Sequence, residues 1–97
     1  MAKKHSFFNA EFADQWKESY LKLQNDQKKG VDKVVMAIIK SETTPGMRVK
    51  PIEPSKYYDE ARANDGDRVV HHILKGTAYF DDIVPHDDIN KYGRTPK

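Results

Sequence analysis

The chain has no cysteine among its 97 residues. Disulfides, thiolate metal cages and a cysteine nucleophile are excluded with it, and a reducing cytoplasm is the expected home. Long hydrophobic runs are missing too. No apolar stretch approaches the ~20 residues a membrane helix needs, and the basic start Met1-Ala2-Lys3-Lys4-His5 leads into no signal-peptide core. A soluble, non-exported protein with no membrane partner is expected. Glycine and proline stand at 5 each, and no repeat, low-complexity tract or linker divides the chain. Its length fits one domain, 1–97, with a modest core.

Excess charge is also lacking. The 17 Lys and Arg face 15 Asp and Glu, a net +2, too little for the whole molecule's field to hold nucleic acid. Residues 1–56 carry 11 basic against 7 acidic side chains, and residues 57–97 carry 6 against 8. An anion site in the second half must therefore be a local cluster set among carboxylates.

Hydrophobic periodicity is plentiful. Phe8, Phe12, Trp16, Tyr20 and Leu23 recur every four or three residues, which predicts a helix from about Ala10 to Asn25. Asn9 is its expected N-cap, with Glu11 in the first turn, and His5 to Phe8 is a candidate short strand ahead of it. Gly30 separates this from Val31, Val34, Val35, Ile38 and Ile39, the pattern of a second helix over about Val31 to Ser41. The short connection makes the two an antiparallel hairpin. From Met47 the period becomes two. Met47–Ile52, Tyr57–Ala63, Asp67–Leu74 and Thr77–Val84 read as strands, with turns at Asn64-Asp65-Gly66 and Lys75-Gly76. The expected fold is α+β: an N-terminal helical hairpin packed on one face of a three- to four-stranded antiparallel sheet, whose other face can line a cleft.

The chemistry-bearing residues crowd toward the C-terminus. Between Asp82 and Arg94 an apolar strand meets Pro85 and is followed by His86, Asp87, Asp88, Lys91, Tyr92 and Arg94. His86 can exchange a proton near neutral pH. Tyr92 can stack on a base or donate to a phosphate oxygen; equally, its ring can cap the core. Arg68 heads the best strand and suits a phosphate, with an ion pair to Glu60 or Asp59 as its plain alternative. Arg62 alternates with Glu60 and Tyr58 on one strand face, and Arg48 and Lys50 share a face of the first strand, where they can be phosphate contacts or a solvated surface. His71 and His72 invite a zinc or manganese site with His86. Neighbours on a strand point to opposite faces, so they cannot both hold one ion, and His72 is the one that shares a face with Arg68. No metal site and no cofactor are expected.

Gly66-Asp67-Arg68-Val69-Val70, then Asp82-Ile83-Val84-Pro85-His86 and Tyr92, in this order of elements, resemble the RelE/ParE toxin superfamily, across most of the chain. The family's N-terminal strand is short or missing in this sequence. The resemblance implies a type II toxin–antitoxin toxin that cuts mRNA, often in the ribosomal A site, without metal, and that a small antitoxin neutralises. In that chemistry the ribose 2′-hydroxyl attacks the adjacent phosphorus. It requires a base, an acid for the leaving 5′ oxygen, and cations for the phosphorane. The resemblance assigns catalysis to His86, Arg68 and Tyr92, and Arg62, Lys50, Arg48, His72, Lys91 and Arg94 are the expected substrate contacts. The acids beside them either raise the pKa of His86 or pair with Lys91 and Arg94. The alternative in the same fold is a protein-binding module without nuclease activity, of the gyrase-inhibiting or an orphan kind.

Overall fold

A computed structural model describes residues 8–94. In chain order they form β1 (Asn9–Phe12), α1 (Asp14–Leu21), α2 (Asn25–Ile39), a 3-10 turn (Pro45–Met47), β2 (Lys50–Pro51), β3 (Asp59–Arg62), β4 (Asp67–Leu74), β5 (Thr77–Pro85) and a C-terminal 3-10 helix (His86–Gly93). The sheet runs β1-β5-β4-β3-β2. All neighbours are antiparallel except β1, which lies parallel to β5 with Phe12 opposite Phe80. The α+β fold with helices on one sheet face is as expected, with one strand more and a mixed rather than purely antiparallel sheet.

That extra strand is a correction. The N-terminal strand is present, and it occupies Asn9–Phe12, where the first helix was expected to begin. A spacing of four puts Phe8 and Phe12 on one face of a strand as well as of a helix, and Ala10 between them shares that face. Phe8 and Ala10 pack on the core, and the Phe12 ring stacks on Phe80 at 5.0 Å. Asn9 is thus a strand residue, whose N–H donates to the carbonyl of Gly76 at 3.0 Å, not a helix cap. Of the candidate strand His5 to Phe8, residues 5–7 lie outside the described residues, and Phe8 precedes β1.

The two helices divide elsewhere than expected. α1 has 8 residues, too few to hold as a helix alone, and it is anchored by buried Trp16 packed against the Phe12 and Phe80 rings. α2 begins at a capping box in which the backbone N–H of Gln24 donates to the Gln27 side chain at 2.9 Å. Gly30 therefore sits inside α2 and separates nothing. A Cβ there would lie 2.7 Å from the carbonyl oxygen of Ala63 at the end of β3, so glycine is required by the close approach of helix to sheet. Val31, Val34, Val35 and Ile38 are buried on that side, and Tyr20 ties α1 to α2 by donating to Asp32 at 2.8 Å.

The β3-β4-β5 meander matches the expected turns. Lys75 and Gly76 both have positive φ, 51° and 81°, the signature of a two-residue hairpin whose twist suits the strands. At the other turn the Asn64 side chain accepts the N–H groups of Gly66 and Asp67, while the buried Asp67 carboxylate receives Asn64 at 2.8 Å and Gln27 of α2 at 2.9 Å. Val69, Ala78, Phe80 and Ile83 face the helices. Full burial of a ring such as Phe80 contributes about 2–3 kcal/mol. On the opposite face Ile52, Val70, Val84 and Ile89 form a second cluster flanked by Tyr58 and Tyr92, so the C-terminal 3-10 helix covers part of the surface expected to be an open cleft. It is held by a hydrogen bond from Ser55 to the Gly93 carbonyl at 2.9 Å.

One irregularity in β5 matters for the site. Val70 pairs with Asp82 but His71 pairs with Phe80, which leaves Asp81 as the extra residue of a bulge. Phe80 and Ile83 stay on the helix side, three residues apart. Asp81 and Asp82 thereby both turn to the other face.

Candidate functional site

The face away from the helices carries two groups of polar and aromatic side chains, with Ile89 of the 3-10 helix lining the first and Tyr92 belonging to the second. At the end near the Asn64–Gly66 turn is a cleft of about 370 Å3 lined by Lys50, Pro51, Ile52, Glu53, Glu60, His86, Ile89 and Asn90. His86 reaches it because Pro85 ends β5 and the His86 N–H donates to the Gly66 carbonyl at 2.8 Å. Its imidazole is 59 % exposed, and Asp87 is 3.8 Å away. Lys50 and Glu60 are direct partners across β2 and β3.

Arg68 lies behind this cleft. Its Nη1 donates to the carbonyls of Asn64 (2.8 Å), Asp65 (3.2 Å) and Asp67 (3.1 Å), and its Nε lies 3.8 Å from Glu60. Both side chains of that pair are nearly buried, 12 % and 11 % exposed. The expected ion pair to Glu60 is thus present, and Glu60 is the link between Arg68 and the His86 cleft. Arg62, opposite Arg68 across β3 and β4, binds Asp65. Arg48 ends the 3-10 turn with φ 48° and does not line the cleft, so only Lys50 of that pair does.

Tyr92 is placed with the second cluster. Its hydroxyl donates to Asp82, whose other oxygen accepts Ser19 of α1 at 2.6 Å. Burial, and then the negative Asp82 beside it, push the Tyr92 phenol far above its ordinary pKa. Its ring meets Tyr58 edge-on at 5.3 Å. Lys91 rests 5.6 Å from the centre of the Tyr92 ring, and Arg94 is exposed.

Around Tyr58 the rings continue. Tyr57 lies 4.8 Å from Tyr58 and 5.0 Å from His72, and His72 stacks on Tyr79 at 4.8 Å and 12°. The Nδ1 of His72 is 2.7 Å from Asp81. Burial raises the pKa of Asp81, against the lowering effect of His72, and burial likewise raises that of Tyr58, helped by Asp81.

Strict alternation placed His71 and His72 on opposite faces, and they are so placed: His71 is 1 % exposed beside Phe80 on the helix side. Among the described residues no three His, Asp or Glu side chains are grouped to hold a metal ion. Sequence reasoning did not foresee the meeting of Asp81 with His72, nor the roles of Tyr57, Tyr79 and Glu53. A signal was available for Asp81, since the core-facing set Ala78, Phe80, Ile83 breaks from a spacing of two to three across two acids.

No protein-family model matches the chain. No curated protein matches it by sequence. Solved structures do match by shape. YafQ in the Escherichia coli DinJ–YafQ toxin–antitoxin complex is similar with a TM-score of 0.72 at 14% identity, over 82% of this chain and 93% of that one. A copper-bound mutant toxin from Helicobacter pylori gives 0.71 at 11% identity, over 84% and 97%. A chain of the YoeB–YefM complex from Staphylococcus aureus gives 0.67 at 15%, over 81% and 97%. The chain therefore has the fold of these RelE/YafQ-like toxins.

Proposed function

We propose that the chain is the toxin of a type II toxin–antitoxin pair and acts in the cytoplasm as a metal-independent endoribonuclease on mRNA, with the ribosome as its place of action. The observation that carries this is the likeness of fold to YafQ, a toxin solved with its antitoxin, over 82% of this chain, together with an exposed imidazole delivered by the end of β5 into a cleft that also holds a lysine and two carboxylates. A partner antitoxin of this chain belongs to the same proposal.

The reaction needs few parts. The 2′-hydroxyl oxygen bonds to phosphorus, the bond to the 5′ oxygen breaks, and one proton leaves the first oxygen while another reaches the second. His86 transfers one of these protons, with Glu53 and Glu60 as acceptors in the same cleft. Lys50 stabilises the phosphorane charge. Arg68, fixed by three carbonyls, holds Glu60 in place and adds its charge behind it; Arg62, Lys91 and Arg94 supply further positive charge for the strand. Tyr92, bound to Asp82, orients substrate through its ring rather than its hydroxyl.

Primer extension on translated mRNA tests this. Wild type is expected to give discrete cuts that His86→Ala reduces by about 100-fold or more, the usual size of a lost acid–base group. Equal absence of cuts from both proteins would retire the nuclease reading in favour of protein binding by the same fold.

A further inference from the structure

We infer that the His72–Asp81–tyrosine cluster is a base-reading subsite selective for guanine. The inference deepens the nuclease reading, because it names what the cleft face does with the nucleotides beside the bond that is cut. Four features point to a planar, neutral, donor-rich ligand. Tyr57 is 47 % exposed, and with Tyr79 and His72 it forms an aromatic bank at spacings near 5 Å, a surface on which a nucleobase stacks irrespective of sequence. The carboxylates of Asp81 and Asp82 share this face, which disfavours a phosphate here and leaves phosphate to the Lys50 end. Asp81 is 19 % exposed and uses one oxygen on His72, so acceptor capacity remains on both its oxygens. Finally, the β5 bulge exists at the residue that is re-aimed, and bulges recur where a side chain must be directed into a site.

Selectivity follows from the acceptor pattern. Guanine alone carries two adjacent donors, N1–H and N2–H2, on its pairing edge, and these match one carboxylate. Adenine and cytosine offer one amino group beside an acceptor nitrogen, and uracil one N–H between two carbonyls; each sets an acceptor against the carboxylate. His72 acts as the positioning residue, holding Asp81 in one orientation through Nδ1. Along β4, the four steps from Arg68 to His72 span about 13 Å, so one single strand can lie across both clusters.

The test uses the full chain and needs no cleavage. Guanosine, adenosine, cytidine and uridine are titrated separately while the Tyr57, His72 and Tyr79 ring resonances are followed by NMR. Guanosine is expected to bind at least tenfold more tightly than the others and to shift those resonances. Asp81→Asn should erase the preference, Asp81→Glu should restore part of it, and Tyr57→Ala, an exposed position, should weaken all bases about tenfold. A single-stranded RNA with one guanine should bind more tightly than guanosine if the subsite serves an RNA strand, and no more tightly if it serves a free nucleoside, which overturns the substrate assignment. Equal binding of the four nucleosides, shifts confined to other residues, or an Asp81→Asn protein that keeps the preference would overturn the inference. Guanosine binding without cuts in primer extension would sink the nuclease reading alone.

Discussion

Protonation of His71 should govern the acid stability of this fold. The imidazole is fully buried beside Phe80, its Nδ1 has no hydrogen-bond partner, and burial lowers its pKa from 6.5 to about 4, only partly offset by a hydrogen bond with the Val69 backbone. Above pH 6.5 the ring is neutral folded and unfolded, so it costs nothing. As pH falls from 6.5 toward 4 the unfolded chain gains the proton and the folded chain does not, so stability falls, levelling off below pH 4. A gap of about 2.5 units at 1.36 kcal/mol each corresponds to roughly 3 kcal/mol, a large share of the 5–15 kcal/mol typical of a domain. Asp59, the partner of His71 across β3 and β4, has a burial-raised pKa and acts oppositely, as does Asp81: each holds its proton more tightly when folded, favouring the fold as pH falls toward the ordinary carboxyl value of 3.8. The His71 loss itself runs from pH 6.5 to about 4, and its variants separate it from the opposing carboxylates. Urea unfolding across that range should show wild type losing stability on acidification and His71→Phe or His71→Gln losing much less. Parallel curves for all three proteins would refute the reasoning.

Gly30→Ala should destabilise the protein although alanine is the better helix former by about 1 kcal/mol, because its Cβ meets the Ala63 carbonyl at 2.7 Å; a net loss of about 1–2 kcal/mol lowers Tm by roughly 4–16 °C. Gly46→Ala, with nothing nearer than Thr44 Oγ1 at 3.9 Å, is the control and should leave Tm nearly unchanged. Asp67→Ala removes the acceptor shared by Asn64 and Gln27 and should cost about 1–3 kcal/mol in urea unfolding, with no loss indicating that the turn does not depend on α2.

Where local chemistry decides the backbone, the sequence was legible. Val31, Val34, Val35 and Ile38 form the buried stripe of α2, and Lys75-Gly76 and Asn64-Gly66 make the turns their composition demands. Pro85 stops β5 and places His86 beyond it. Where long-range contacts decide, it was not. The spacing of Phe8 and Phe12 fits strand and helix alike, and parallel pairing with the distant Phe80 settles it. Gly30 resembles a breaker until the Ala63 carbonyl is beside it. The site divides the same way. Arg68 pairs with Glu60, one of the two acids expected across the hairpin, whereas Tyr92 sits with Asp82 and Tyr58 instead of with His86, because a bulge turned both acids of Asp81-Asp82 to one face.

Product-end analysis of mRNA cut during translation bears most directly on the claim that the cleft face performs metal-free transesterification. Attack by the 2′-hydroxyl leaves a 2′,3′-cyclic phosphate or 3′-phosphate upstream and a 5′-hydroxyl downstream, with His86→Ala producing almost none of either. Fragments bearing a 3′-hydroxyl and a 5′-phosphate, or unchanged cutting by His86→Ala, would contradict it.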